Sequence, residues 1–322
     1  MNWPGVEFIR VPANGINFEV ATRGSGDRLA LCLHGFPEHA YSWRYQMPLL
    51  ARLGYRVWAP NLRGYGGSDS PQEVSAYKTR TLVEDVAALI RAANARETLL
   101  LAHDWGGVLA WSLALQHQSN KTGSLGGPEL ERPQLIDKLV IMNLPHPVCF
   151  ARELRRPPQL FMSWYIYFFQ LPWLPEFMLR RRNGRATSGV FRSTSKNPAR
   201  FRDDDLEVYR ANAMRPGGLT AMVNWYRAAI RGGSLRRFHG AEVPVINIPT
   251  LFLWGDADTA LSLRTTQGTE KYVSDLTFRV FHGVSHWIQQ EAPEAVNAML
   301  EAWLNGKLVP EYSEIARQHS GS

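Results

Sequence analysis

An aspartate stands where an apolar run gives way to a helical pattern, in the stretch Leu99 to Leu109, L-L-L-A-H-D-W-G-G-V-L. A carboxylate displayed at such a strand-to-helix turn can act as a nucleophile, and the ester it forms needs a base to remove it. His286, in His282-Gly283-Val284-Ser285-His286-Trp287, follows the last strand-like run and can be that base. Its imidazole needs an acid to fix the tautomer and balance the cation, and Gly255-Asp256-Ala257-Asp258 offers two carboxylates just beyond the preceding strand-like run. The chemistry these types allow is two-step displacement: attack by Asp104, then hydrolysis of the ester by His286-activated water.

The elements that must position these groups follow from periodicity. Leu99 to Ala102 is continuously apolar, as in a strand buried on both faces, and Gly106 to Gln116 carries Val108, Leu109, Trp111, Leu113 and Leu115 at helical spacing. The small residues Ala102, Gly106 and Gly107 leave room for a tight turn that projects Asp104. Strands are expected at Phe8 to Val11, Ile16 to Thr22, Leu29 to Leu33, Tyr55 to Pro60, Lys138 to Asn143, Thr250 to Trp254 and Thr277 to Phe281, with Asn14-Gly15 as a hairpin turn. Helices are expected at Tyr41 to Leu53, Leu82 to Ala93 and Pro293 to Leu304. This alternation predicts an α/β fold with a mostly parallel sheet, flanked by helices and binding ligands at the carboxyl ends of the strands. Helical patterns without strands run from Leu144 to about Asn247, so the expected organisation is a core over 1–143, an inserted helical cap over 144–247, and the rest of the core with the C-terminal tail over 248–322. Ser119 to Pro133 is rich in loop formers and reads as a surface excursion, and the polar tail after Val309 reads as disordered.

Composition narrows the classes. The chain has 322 residues, 45% hydrophobic and 20% charged, which suits a soluble globular protein and excludes disorder over most of its length. Cys32 and Cys149 are too few for a disulfide framework and lack zinc-ligand spacing, so two free thiols and no metal are expected. The net charge of +7 owes much to Arg152, Arg155, Arg156, Arg180, Arg181, Arg182 and Arg185. No nucleic-acid-binding motif accompanies them, and a solvated basic face is the expectation. Leu160 to Leu174 is the longest aromatic run, too short to span a bilayer, and is expected as a buried helix. Arg63-Gly64-Tyr65-Gly66-Gly67-Ser68 lacks the Lys-Ser/Thr of a phosphate cradle. The first residues hold no signal-peptide pattern, which points to a cytoplasmic protein without integral membrane association.

From about Val11 to Leu304 the chain resembles the epoxide hydrolases of the α/β-hydrolase fold. The wording that carries the resemblance is H-G-F-P-E at His34 to Glu38, Y-S-W-R-Y-Q at Tyr41 to Gln46, R-G-Y-G-G-S at Arg63 to Ser68, H-D-W-G-G at His103 to Gly107, Y-I-Y-F-F-Q at Tyr165 to Gln170 and N-W-Y-R at Asn224 to Arg227. The resemblance implies that Asp104 takes the ester, that Tyr165 and Tyr226 are the cap tyrosines activating the epoxide oxygen, and that His286-activated water completes the reaction to a vicinal diol. It also implies that the backbone N–H groups of Phe36 and Trp105 form the oxyanion hole, that these two residues and the tyrosines contact substrate, and that the Phe36-Pro37 bond is cis. The acid position falls on Asp258, three residues after Gly255, with Asp256 serving its loop and Asn143 standing where some relatives place the acid. No cofactor is expected, and the partners are an epoxide and water, with no nucleic acid, in a monomer or homodimer. Two alternatives stay open: a haloalkane or haloacid dehalogenase on the same fold, and a non-catalytic hydrolase-fold receptor.

Overall fold

A computed structural model describes residues 3–122, 135–233, 238 and 243–320. The strands are β1 (Glu7–Ala13), β2 (Ile16–Arg23), β3 (Arg28–Leu33), β4 (Arg56–Pro60), β5 (Glu97–His103), β6 (Lys138–Met142), β7 (Thr250–Gly255) and β8 (Leu276–Phe281). They form one eight-stranded sheet in the order β1-β2-β4-β3-β5-β6-β7-β8. The β1–β2 and β2–β4 pairings are antiparallel and all the others parallel. The apolar runs dictate this order of burial: β3, β5, β6 and β7 are buried along almost their whole length, whereas β1 at the edge alternates exposed and buried positions.

The helices are α1 (Gln46–Arg52), α2 (Thr79–Ala93), α3 (Trp105–Thr122), α4 (Pro147–Glu153), α5 (Gln159–Met162), α6 (Trp164–Phe168), α7 (Leu174–Arg180), α8 (Arg185–Ser188), α9 (Val190–Thr194), α10 (Asp203–Met214), α11 (Gly218–Arg231), α12 (Ile288–Glu291), α13 (Pro293–Leu304) and α14 (Tyr312–Ser320). Successive residues of β5 serve opposite layers. Leu100 and Ala102 join the core that contains Val86 and Ile90 of α2 and Trp111 of α3. Leu99 and Leu101 join the one that contains Leu50 of α1 and Val296 and Met299 of α13. Each of the larger of these side chains moved out of water contributes about 1.5–3 kcal/mol, so both layers fix the height of the β5 tip.

The segment between β6 and β7 supplies α4 to α11, which lie across the carboxyl ends of the strands. Polar anchors join it to the sheet. Asn212 of α10 donates to the Glu38 carbonyl at 3.1 Å, and the Trp225 indole of α11 donates to the Arg63 carbonyl at 3.1 Å. The Tyr41 hydroxyl donates to Asp205 at 2.9 Å, and Arg44 faces that same buried carboxylate at 3.5 Å.

Several elements differ from the expectation. The helix expected over Tyr41 to Leu53 is a 3₁₀ turn, Ala40–Trp43, followed by α1, because the His39 side chain caps the Tyr41 N–H at 2.9 Å and starts a separate short turn. Helix α3 continues past Gln116 to Thr122, with the Ser119 hydroxyl bonded back to the Leu115 carbonyl, and the remainder of the Ser119 to Pro133 excursion lies outside the described residues. The run Leu160 to Leu174 is not a buried helix. It breaks into α5, α6 and a turn at Pro172, and exposes Phe161, Trp164, Tyr167 and Trp173. The tail after Val309 is not disordered through Ser320: it forms α14, whose Ile315 is buried and whose Tyr312 stacks on Phe281 at 4.9 Å. Its apolar residues are few, but they sit on one face, which a count of polar residues overlooks.

Candidate active site

Asp104 occupies the turn between β5 and α3 with φ of +50°, a left-handed conformation that costs a non-glycine residue energy and aims its side chain away from the sheet. The neighbours make that turn possible. A Cβ on Gly106 would lie 2.3 Å from the Leu33 carbonyl oxygen, and one on Gly35 would lie 2.3 Å from Asp104 Oδ1. With both positions bare, the Phe36 N–H reaches Asp104 Oδ1 at 2.7 Å, from a loop whose Phe36-Pro37 bond is cis. Trp105 follows at the first position of α3, where backbone N–H groups have no partner within the helix.

His286 and Asp258 arrive from the loops after β8 and β7. His286 Nδ1 donates to Asp258 Oδ2 at 2.6 Å, which turns Nε2 toward Asp104 Oδ2, 3.6 Å away. Asp258 is itself saturated: it accepts from Asn143 Nδ2 at 2.8 Å and from the Ala260 and Leu261 N–H groups at 2.7 and 2.9 Å. Asp256 faces elsewhere, toward His282 Nδ1 and the Gly283 N–H, both at 2.8 Å. The structure therefore brings Asp104, His286 and Asp258 together and leaves Asp256 outside.

Tyr165 of α6 and Tyr226 of α11 cover Asp104 from the helical side, their rings 5.8 Å apart between centroids. The Tyr226 ring stands edge-on to Trp105 at 4.9 Å and to Phe36 at 5.3 Å. The two helices carrying the tyrosines are tied by Gln170, which donates to the Tyr226 carbonyl at 3.2 Å, and by Arg227. Arg227 donates to the Phe169 and Leu171 carbonyls at 3.1 and 2.7 Å and pairs with Glu176.

Electrostatics sets the resting charges. Burial pushes Asp104 up, but the His286 and His103 charges and the Phe36 N–H outweigh it and hold the carboxyl below its usual range. Burial pushes His286 down, but Asp258 and Asp104 together lift it to about 10, so the ring is protonated at neutral pH. Burial, followed by the negative charge of Asp104, raises both Tyr165 and Tyr226, which stay phenols able to donate.

Two cavities meet at Asp104, Tyr165 and Tyr226. One, of about 100 Å³, runs between Val108, Trp111, Leu144, Phe150 and Ile230. The other, of about 400 Å³, passes Phe36, Met162, Phe169, Leu179 and Trp287. Asp104 is 14% exposed and opens into both. Among the described residues no group of three His, Cys, Asp or Glu side chains could hold a metal ion.

Residues 31–293 match the family model of the alpha/beta hydrolase fold. The chain is 34% identical to Epoxide hydrolase 4 of Mus musculus over 304 residues, covering 92% of this chain and 79% of that one. It belongs to the epoxide hydrolases of the α/β-hydrolase fold. It is also 37% identical to AB hydrolase superfamily protein YfhM of Bacillus subtilis, over 94% of this chain and 99% of that one. Among solved structures, a Bacillus megaterium epoxide hydrolase in complex with an inhibitor superposes with a TM-score of 0.80 at 28% identity, covering 92% of this chain and all of that one.

Other residues of this epoxide hydrolase that hold the site escaped sequence reasoning. Glu38, fully buried, accepts from the Gly35 N–H at 2.9 Å, from Gln289 and Gln290 at 2.8 and 2.7 Å, and bonds His103 Nδ1 at 2.8 Å. His103 Nε2 reaches the His286 carbonyl at 2.8 Å, so one chain of bonds joins the Phe36 loop, the β5 tip and the His286 loop. The signal was present in H-G-F-P-E and H-D-W-G-G, but nothing local says that Glu38 and His103, 65 positions apart, face each other. Asn143, passed over as a missing acid, has φ of +40° and bridges Asp258 to the Gly255 N–H.

Proposed function

We propose that this epoxide hydrolase opens epoxides through a covalent ester on Asp104 and releases vicinal diols. The observation that supports this most directly is the asymmetric holding of the Asp104 carboxylate: Oδ1 is engaged by the Phe36 N–H while Oδ2 lies 3.6 Å from His286 Nε2, and the carboxylate shares with Tyr165 and Tyr226 the lining of a largely apolar cavity. Oδ2 attacks an epoxide carbon, the carbon–oxygen bond breaks, and the departing oxygen takes a proton from Tyr165 or Tyr226. Esterification removes the Asp104 charge, and with it part of what holds His286 at about 10. The ring then releases a proton that restores the phenol, and the histidine becomes a base only once there is an ester to hydrolyse.

In the second step His286 Nε2 removes a proton from water and the oxygen adds to the ester carbonyl. The oxyanion develops on Oδ1, beside the Phe36 N–H and at the start of α3, where the Trp105 N–H lies. Collapse breaks the ester C–O bond, the alkoxide takes the remaining proton of the added water, and Asp104 returns as a carboxylate with His286 protonated. The helices between β6 and β7 serve as the cap that carries the ring-opening donors and closes the cavity.

The test is His286→Gln with styrene oxide. Intact-protein mass spectrometry is expected to show an adduct of one substrate mass on the chain, accumulating because alkylation needs no base. In the unsubstituted enzyme, single-turnover kinetics should show alkylation constant from pH 6 to 8 and ester hydrolysis rising with pH, since neutral imidazole is the reactive form. Absence of the adduct with substrate still binding, or hydrolysis falling as pH rises, overturns the assignment.

A further inference from the structure

Among the described residues, eight of the twelve exposed large hydrophobic side chains fall between Leu160 and Met178. Phe161 and Trp173 are 70% exposed, Trp164 is 63% and Phe177 is 59%. A concentration of this kind needs a partner to cover it. Its charge surroundings are cationic along the sequence, although Arg156, Arg192, Arg200 and Arg202 pair with Glu153, Asp203, Glu294 and Asp205. From Leu154 to Arg202 the sequence holds ten Lys or Arg and a single acid, Glu176, which is paired with Arg227. Arg155 and Arg156 precede α5, and Arg180 to Arg182 close α7, so cations bracket the aromatic stretch at both ends. Arg155, Arg180, Arg181 and Arg182 form no ion pair among the described residues.

We propose that this face docks on an anionic phospholipid surface. Trp, Tyr and Phe beside Arg are the types that settle at a headgroup boundary, rings in the acyl margin and guanidinium groups on the phosphates. A second copy fits less well, because a two-fold interface would set this cationic rim against itself. A nucleic acid would meet the arginines but has no use for what lies behind the aromatics: Trp164 and Met178 are exposed on this face and also line the larger cavity leading to Asp104. The docked face is thus continuous with the mouth of an apolar channel. Resting on the function proposed above, docking would pass lipid-dissolved epoxides to Asp104 without crossing water. No helix among the described residues is long and apolar enough to cross a membrane, so the attachment is peripheral.

The test is co-sedimentation of the full chain with vesicles of phosphatidylcholine alone or with about a third phosphatidylglycerol. Binding to the anionic vesicles should exceed binding to the neutral ones by roughly tenfold and fall at high salt. Phe161→Ser/Phe177→Ser and Arg155→Glu/Arg181→Glu should each lower it roughly tenfold, while diol formation from water-soluble styrene oxide stays within about twofold. That activity readout separates failure of docking from failure of the enzymatic reading. Equal sedimentation with both vesicles, retention by single-stranded DNA without vesicle binding, or a concentration-dependent dimer abolished by Phe161→Ser/Phe177→Ser without vesicle binding would each overturn the proposal.

Discussion

On the sheet side of the cavity, Asp104, His286 and Asp258 are each held by a hydrogen bond of 2.6 to 2.8 Å, and Asp258 by four donors at once. On the helical side, Tyr165 and Tyr226 are oriented mainly by ring contacts 4.8 to 6.1 Å between centroids, and Tyr165 sits in a five-residue helix. Directional bonds fix a group to fractions of an ångström, whereas ring packing fixes a shape. The difference matches the tasks proposed above, in which the sheet side places a carboxylate oxygen and a base on reacting atoms and the helical side admits substrates and offers a proton. Removing a sheet-side group should therefore cost far more than removing a helical-side one.

The largest effect is expected for Asp104→Ala, which removes the carboxylate proposed to form the ester. Diol formation should fall on the order of 10⁵-fold, with circular dichroism unchanged, because strand and helix patterns do not depend on the carboxylate. Residual turnover near the original rate would end the covalent reading.

Asp258→Asn comes next. The neutral amide neither balances the imidazolium nor keeps Nδ1 as the donor, and ester hydrolysis should slow about 10³-fold while alkylation is much less affected. Rapid-quench measurement of the two steps separates them, and equal loss in both would assign Asp258 a general structural role.

Tyr226→Phe and Tyr165→Phe should each slow alkylation about tenfold, and the double variant about 10²- to 10³-fold, since either phenol can serve the same oxygen. Tyr226→Phe should be the more damaging, because Tyr226 is packed by the rings of Phe36, Trp105 and Phe169 on the long helix α11, whereas Tyr165 sits in the five-residue α6. If a single tyrosine variant lost as much as Asp104→Ala, the contrast between the two sides would fail.

Legibility followed the same division. Strand-end residues such as Asp104 and His286 are announced by an apolar run that stops at a polar residue, and two-sided burial of β5 leaves little freedom in where its tip goes. Glu38, His103 and Asn143 were not legible as supports, because the partners that make them so lie 65 to 252 positions away along the chain. The helical segment misled most: Leu160 to Leu174 is apolar enough for a core helix, yet Phe161, Trp164, Tyr167 and Trp173, four of its seven rings, are exposed. Burial of an aromatic depends on what packs over it, and in a run of four- and five-residue helices no periodicity persists long enough to mark an inner face.

Asp256→Asn should have the smallest effect, and it tests how local the sheet-side precision is. Asp256 lies two residues before Asp258 on the same loop, yet its carboxylate turns to His282, which is 72% exposed, and to the Gly283 N–H. A contact so open to water is worth about 0–1 kcal/mol, and asparagine can still accept from the Gly283 N–H. Ester hydrolysis should stay within about twofold and the thermal midpoint within about 4 °C. The loop itself is held independently, by the Ala257 N–H on the Val284 carbonyl at 3.0 Å and by the Ala260 and Leu261 N–H groups on Asp258. If Asp256→Asn slowed hydrolysis as Asp258→Asn is expected to, the loop would act as one unit, and precision at His286 would belong to its conformation rather than to the Asp258 bond.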